Sequence, residues 1–296
     1  MILPLSSPSA RLESVGGKGA NLSVLARAGF PVPDGFLITT QAYRTFVEAK
    51  NLVQKIQYRV GEIKLDDPNS LQEASEEIRA WFSSGDIPPE LVTQIREAYG
   101  SLKGVPAAVR SSATAEDLPD LSFAGQQDTY LNVIGEAALL TAVVDCWSSL
   151  WTARAIGYRA RSAIVHEGVT LGVVVQEMVP SEVSGVLFTA NPLTGLRTEA
   201  VIDATLGLGE ALVAGHVEPD HYVIDLKQGE ILTKTLGSKG IAIHGKAGGG
   251  VRTEVIDAAH SQALPDEQIL ELARLGSQIA ELYDFPQDIE WAWAGG

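Results

Sequence analysis

The spacing of apolar positions changes near the middle of this chain of 296 residues. In the first half it runs at three and four, the period of a helix with one buried face. Leu22, Leu25 and Ala26 predict a helix over 19–28, stopped by Gly29 and barred from continuing by Pro31 and Pro33. Residues 35–40 read as a short strand leading into a cap, and Tyr43, Phe46 and Val47 follow at helical spacing. Ser70 and Glu73 have the spacing of a capping box, opening a helix to about 82 that Gly85 ends. Pro88 and Pro89 start another, which Gly100 stops. Leu139, Val143, Trp147, Leu150 and Trp151 form the stripe of a long helix over 135–161, and Trp81, Phe82 and Tyr99 are assigned to the core.

From Val169 onward the pattern becomes that of strands. Apolar runs predict strands over 173–180, 183–189 and 198–204, then a hairpin of 221–226 with 230–235 turning at 227–229. A flexible loop is expected at 245–250, and a helix over 266–283 with Ile269, Leu272, Leu275, Ile279 and Leu282 facing inward. The last element, 287–293, alternates: Ile289, Trp291 and Trp293 on one face, Asp288 and Glu290 on the other. A helix-rich first half and a hairpin-rich second half predict an α+β protein with two lobes, about 1–175 and 176–296.

Composition narrows the function classes. Apolar residues make up 45% of the chain, enough for a substantial core, yet no run reaches the roughly 20 apolar residues of a membrane span. The N-terminus has neither the basic nor the long apolar region of a secretory signal, so the cytoplasm is the expected compartment. Net charge is −15 with no basic run, which argues against a nucleic-acid partner. In so acidic a chain a polyanion has to be held by a few placed cations and a divalent metal. Cys146, the only cysteine, falls in an apolar helical pattern and is expected as a buried thiol.

Four places carry candidate chemistry. In the stretch 107–129 an apolar run ends at Arg110, and Ser111, Ser112, Ala113, Thr114 and Ala115 follow, too small for a core. Two strands thus bracket a loop with an arginine at its entrance: a surface loop with an ion-paired arginine, or a loop whose amides approach an anion while the guanidinium grips it. Lys18 stands among Gly16, Gly17 and Gly19 at a helix start, where the helix dipole disfavours a cation. It is either a solvated lysine at a frayed end or a partner of the helix amides around one anion. Gln176, Glu177 and Val179 end a strand with the mixed polarity that suits an adenine edge, or simply end a strand. Asp288 and Glu290, two apart on a strand, point the same way, as an exposed acidic face or as oxygen ligands for a hard divalent cation. Arg154, Arg159 and Arg161 are expected as a solvated face, and His216 with His221 lacks a third ligand that would make it a metal pair.

With these residues in view, the chain resembles the nucleotide-binding domain of phosphoenolpyruvate synthase, pyruvate phosphate dikinase and rifampicin phosphotransferase, a branch of the ATP-grasp fold. The resemblance is carried by 15–22 (Val-Gly-Gly-Lys-Gly-Ala-Asn-Leu), 108–129, 184–192 (Ser-Gly-Val-Leu-Phe-Thr-Ala-Asn-Pro) and 288–291 (Asp-Ile-Glu-Trp), in the family's order. It implies a nucleotide cleft between two lobes and ATP held with Mg2+. Lys18 and Arg110 would be the catalytic, phosphate-contacting cations, and Gly125 and Thr129 would belong to the phosphate loop. Gln176, Glu177 and Val179 would form the adenine hinge, with Glu210 near the ribose, Glu290 as the metal-binding carboxylate and Asp288 as its helper. The implied reaction is dikinase-type phosphotransfer: a phosphoryl or pyrophosphoryl group passes to a histidine on a separate carrier domain, then to an acceptor, pyruvate or rifampicin, with AMP and phosphate among the products. The family has a further strand after the Asp-Ile-Glu-Trp segment, plus the carrier-histidine and acceptor-binding domains. The chain is therefore expected to be one truncated module. A non-catalytic nucleotide-binding module is the alternative.

Overall fold

The structure, a computed structural model, describes residues 1–114, 128–162, 164–166 and 168–295. They divide into two compact units: Met1–Met178 with Gly248–Gly250, and Val179–Ala247 with Val251–Gly296. Both are mixtures of helices and antiparallel sheet, so the α+β expectation holds.

The first unit runs β1 (Ile2–Pro4), α1 (Leu12–Arg27), β2 (Gly35–Ile38), α2 (Thr40–Ala49), α3 (Leu52–Gly61), α4 (Pro68–Ser83), α5 (Pro89–Ser101), β3 (Ala107–Ala113), β4 (Thr129–Val133), α6 (Glu136–Ser149), α7 (Ala153–Arg161) and β5 (Leu171–Glu177). Its strands form one antiparallel sheet in the order β1-β2-β5-β3-β4. Both faces of the central strands are covered, which is why β5 reads as a continuous apolar run. Phe36, Ile38, Val109, Val173 and Val175 face the main core with Phe46, Ile78, Phe82 and Trp147 from the helices. Leu37 and Val174, on the other face, pack with Val15 of α1 and with Leu5 and Ala10.

Several helix limits differ from the sequence reading. The long helix expected over 135–161 is two helices, α6 and α7, with Thr152 capping the second by accepting a hydrogen bond from the Ala155 amide at 3.2 Å. Helix α4 is capped by Asp67, not Ser70; Ser70 Oγ instead accepts from the Lys64 amide at 3.1 Å. Arg159 belongs to no solvated face. It is fully buried, stacked 5.0 Å over the Trp151 ring, with Nε donating to His166 Nδ1 at 3.1 Å. Burial lowers its pKa to about 10, and burial with the adjacent guanidinium lowers that of His166 to about 4. Cys146 is buried as expected, and burial pushes its thiol well up, which makes it unreactive.

The second unit runs β6 (Val183–Phe188), β7 (Glu199–Leu206), α8 (Glu210–Val213), β8 (Asp220–Asp225), β9 (Glu230–Thr235), β10 (Ile241–Gly245), β11 (Val251–Val255), α9 (Asp266–Tyr283) and β12 (Asp288–Trp293). Five strands form an antiparallel sheet in the order β12-β6-β7-β8-β9, and β10 pairs with β11 in a separate hairpin absent from the sequence reading. One sheet face, with Leu187, Ile202, Ala204, Tyr222 and Ile224, packs with Ile269 and Ala273 of α9. The inward stripe of α9 also uses small residues: Gly276 sits where an added Cβ would lie 2.5 Å from Leu187 Cδ2. Leu282, expected inside, is exposed.

A buried ion pair anchors this unit. Lys239 and Asp220 both have fully buried side chains and are bonded to each other. Lys239 Nζ also donates to the Gly237 carbonyl at 2.8 Å. The Asp220 carboxylate accepts from the amides of Gly237 at 3.0 Å and Ala263 at 2.7 Å, and from the Tyr222 hydroxyl at 3.3 Å. Removing one partner strands the other charge in a low dielectric. Asp220→Ala should therefore cost about 3–5 kcal/mol in denaturant unfolding, whereas replacing both partners by apolar residues of similar volume should cost much less.

Candidate functional site

The first unit brings four of the expected residues to one face of its sheet. Its geometry starts at glycines. Gly16 interrupts α1 with φ 74° and ψ 175°, and a Cβ there would lie 2.1 Å from the Ser112 carbonyl oxygen. A Cβ on Gly172 of β5 would lie 2.6 Å from the Val15 carbonyl oxygen. Two backbones thus approach more closely than any side chain permits. The Gly19 amide then donates to Ser112 Oγ at 3.1 Å, tying the helix to β3. Helical geometry restarts after Gly16, so Lys18 lies in the first turn beyond the break, as its sequence context predicts.

Ser112 faces α1, so Arg110, two residues earlier on β3, projects to that same face. It lies in mid-strand and not at a loop entrance as expected, because β3 continues through Ala113. Thr129 on β4 is its direct cross-strand partner and is exposed. On the other side Arg110 is paired with Val174, which puts Gln176 on this face as well. The Gln176 side chain is buried, its Nε2 donating to the Pro33 carbonyl at 3.1 Å. Glu177, the next residue, is on the opposite face and exposed, with its amide donating to the Asp34 carbonyl at 2.7 Å. Gly125 lies outside the described residues.

The strand after this stretch is held at its root by residues the sequence reading missed. Asp128 Oδ2 accepts from Arg79 Nη2 at 3.3 Å and from the Tyr130 hydroxyl at 3.2 Å. Its carbonyl accepts from the Ser111 hydroxyl at 3.2 Å. Asp145 is close by; burial raises its pKa, Arg79 lowers it and Asp128 raises it. Arg79 comes from α4, far from β4 in sequence, so no local motif announces it.

The remaining candidates belong to the second unit, where Val179 is half-buried and Glu210 is exposed in the first turn of α8. Asp288 and Glu290 are both exposed on the edge strand β12 and project to the same face, opposite to Ile289, Trp291 and Trp293 on the α9 side. Partial burial and the neighbouring Glu290 charge raise the Asp288 pKa. The two carboxylates form an all-oxygen, anionic pair whose charge a divalent cation would balance. That donor set fits Mg2+. The His216–His221 metal pair has no support, since His221 Nδ1 lies instead 2.7 Å from Asp203 Oδ1.

The family described as "Pyruvate phosphate dikinase, AMP/ATP-binding domain" matches residues 12–296. A phosphoenolpyruvate synthase of Pyrococcus furiosus is 42% identical over 325 residues, covering 94% of this chain and 40% of that protein. A probable phosphoenolpyruvate synthase of Archaeoglobus fulgidus is 46% identical over 288 residues, covering 95% of the chain and 38% of that protein. A rifampicin phosphotransferase of Bacillus subtilis is 43% identical over 288 residues, covering 96% and 33%. The chain spans between a third and two fifths of the length of these relatives.

The raised Asp288 pKa makes a pH prediction. A carboxyl that ionises less readily in the folded state binds more protons there than in the unfolded chain. Stability in metal-free buffer therefore falls as pH rises from the unfolded value of 3.8 through the folded one. Asp288→Asn should flatten that decline and raise the thermal midpoint at neutral pH in EDTA. It should also diminish the upward shift that Mg2+ gives the unsubstituted chain.

Proposed function

The chain belongs to the pyruvate phosphate dikinase AMP/ATP-binding domain family, and from that membership we propose that it is the ATP-grasp module of a dikinase-type phosphotransferase. In this reading Lys18 and Arg110 contact the phosphates of Mg-ATP, with Gly125 and Thr129 in the phosphate loop. Gln176, Glu177 and Val179 hold the adenine and Glu210 the ribose, while Glu290, helped by Asp288, takes the metal. A histidine on a carrier domain receives the transferred group and passes it to the acceptor, leaving AMP and phosphate.

The observation that carries this reading is the common face of the first unit's sheet. Arg110 and Thr129 project from β3 and β4 there, and Lys18 stands on α1, the helix set against that face. The two cations differ in kind. Arg110 offers a planar fork that matches two phosphate oxygens at once, and Lys18 offers a point charge. In such a site the protein supplies orientation and charge neutralisation, because the phosphoryl group leaves ATP for a nucleophile carried by another domain. Glu290, helped by Asp288, would hold magnesium, which would supply charge neutralisation for the phosphates.

The fixed glycine contacts support a precise placement of Lys18. A cation in the first turn of a helix opposes the dipole, and that cost vanishes when an anion lies between the lysine and the free amides. For Gln176 the support is partial. One N–H of its amide is used by the Pro33 carbonyl, so its contribution to an adenine edge falls to the second N–H, the carbonyl oxygen and the strand backbone.

Rifampicin phosphotransferases match as well as phosphoenolpyruvate synthases do, so pyruvate and rifampicin both stand as acceptors. Assay of the whole protein on each decides between them. A module that binds Mg-ATP and forms no phosphohistidine on an added carrier domain is instead non-catalytic.

Arg110→Ala should weaken ATP binding by about 2 kcal/mol, roughly thirty-fold, because charge-assisted bidentate bonds are lost, and leave adenosine binding nearly unchanged. Lys18→Ala should act in the same direction and more mildly. Calorimetric titration of both ligands checks this, and an equal loss for ATP and adenosine contradicts the phosphate role.

A further inference from the structure

The sheet of the second unit carries a polar pair that the roles above leave unused. Its register sets Glu290 opposite Val186, Val186 opposite Asp203, and Asp203 opposite His221. Directly opposed residues of antiparallel strands project to the same face. Four side chains from β12, β6, β7 and β8 therefore stand in one row, on the face that does not pack with α9. The alternate residues, Ile202 and Tyr222 among them, supply the apolar core.

Asp203 Oδ1 lies 2.7 Å from His221 Nδ1. Both side chains remain open to solvent, at 23% and 38% exposure, so neither is a sealed core polar group. Aspartate is among the residues that strands disfavour, and here it occupies the middle of a central strand. A cross-strand charged pair contributes at most about 1 kcal/mol, a small return for that position. Its row is the one that ends in Glu290.

Spacing limits what Asp203 can do. Two strand intervals separate its backbone from that of Glu290 by about 9–10 Å. With Val186 between them in the row, Asp203 is assigned no direct coordination of a cation on Glu290. Magnesium, however, keeps several of its waters, and these donate hydrogen bonds outward. A carboxylate one further hydrogen bond away is well placed to accept them.

We propose that Asp203, held by His221, is a positioning residue for the metal–nucleotide complex: its carboxylate accepts hydrogen bonds from waters on the divalent cation carried by Glu290. The His221 Nδ1–H donates to Asp203 and fixes which oxygen faces the waters. Residues that orient a metal's surroundings in this way carry about tenfold or more in metal affinity. The inference rests on the role of Glu290 proposed above.

The test titrates Mn2+ into the chain saturated with a nonhydrolysable ATP analogue, following free Mn2+ by electron paramagnetic resonance. Binding of the metal-free analogue in EDTA is measured in parallel by calorimetry. Asp203→Asn should weaken Mn2+ binding about tenfold and leave metal-free analogue affinity and the thermal midpoint nearly unchanged. His221→Ala should weaken it by a smaller factor, and His221→Asn, which retains a donor, should restore part of that loss. Glu290→Gln is the control. If it weakens Mn2+ binding while Asp203→Asn and His221→Ala do not, the positioning role is overturned and the Glu290 reading stands. If none of the three changes Mn2+ binding, both are overturned. Should Asp203→Asn fail to fold, the His221 pair of variants decides alone.

Discussion

The first unit depends on one close approach: at Gly16 and Gly172 the start of helix α1 meets strands β3 and β5 backbone against backbone. Gly16 and Gly172 make this possible, since a methyl group at either would overlap a carbonyl oxygen of the other element. Gly16 also takes a backbone conformation that L side chains rarely adopt. The approach aligns the Gly19 amide with Ser112 Oγ and leaves Lys18 on the first turn after the break. Arg110 then needs no special device to join it, because it shares the Ser112 face of β3 by simple alternation. The apolar helices on the opposite face hold the sheet against which α1 is set.

The same economy governs the second unit. Its sheet commits one face to α9 and keeps acidic and polar residues on the other. Alternation along β12 places Ile289, Trp291 and Trp293 in contact with the core while Asp288 and Glu290 remain exposed. The packed face fixes the backbone, and the backbone fixes where the carboxylates point. Partial burial first, and the Glu290 charge beside it, raise the Asp288 pKa.

The sequence revealed these features unevenly, for physical reasons. Long periodic segments were legible: α9 spans the residues that its apolar spacing predicts, and β12 shows the predicted alternation. The split between α6 and α7 was hidden because Leu150 and Trp151 keep the helical spacing while Thr152 already serves as a cap. Arg159 looked solvated because nothing local indicates that His166 and Trp151 enclose it. Hairpin β10–β11 was missed because its glycine-rich connection suggested a loop throughout. Lys18, Arg110 and the Asp288–Glu290 pair could be named from motif and pattern. Asp128 with Arg79, and Asp203 with His221, could not, since their partners come from other elements and no short spacing marks them.

The proposal to be tested is that Lys18 and Arg110 contact phosphate oxygens of ATP and that Glu290 takes a divalent metal. A crystal structure of the chain with a nonhydrolysable ATP analogue and Mg2+ measures it most directly. The account predicts phosphate oxygens within hydrogen-bonding distance of Lys18 and Arg110, and the metal on Glu290. A phosphate tail that touches neither cation, or a metal held away from Glu290, would contradict it.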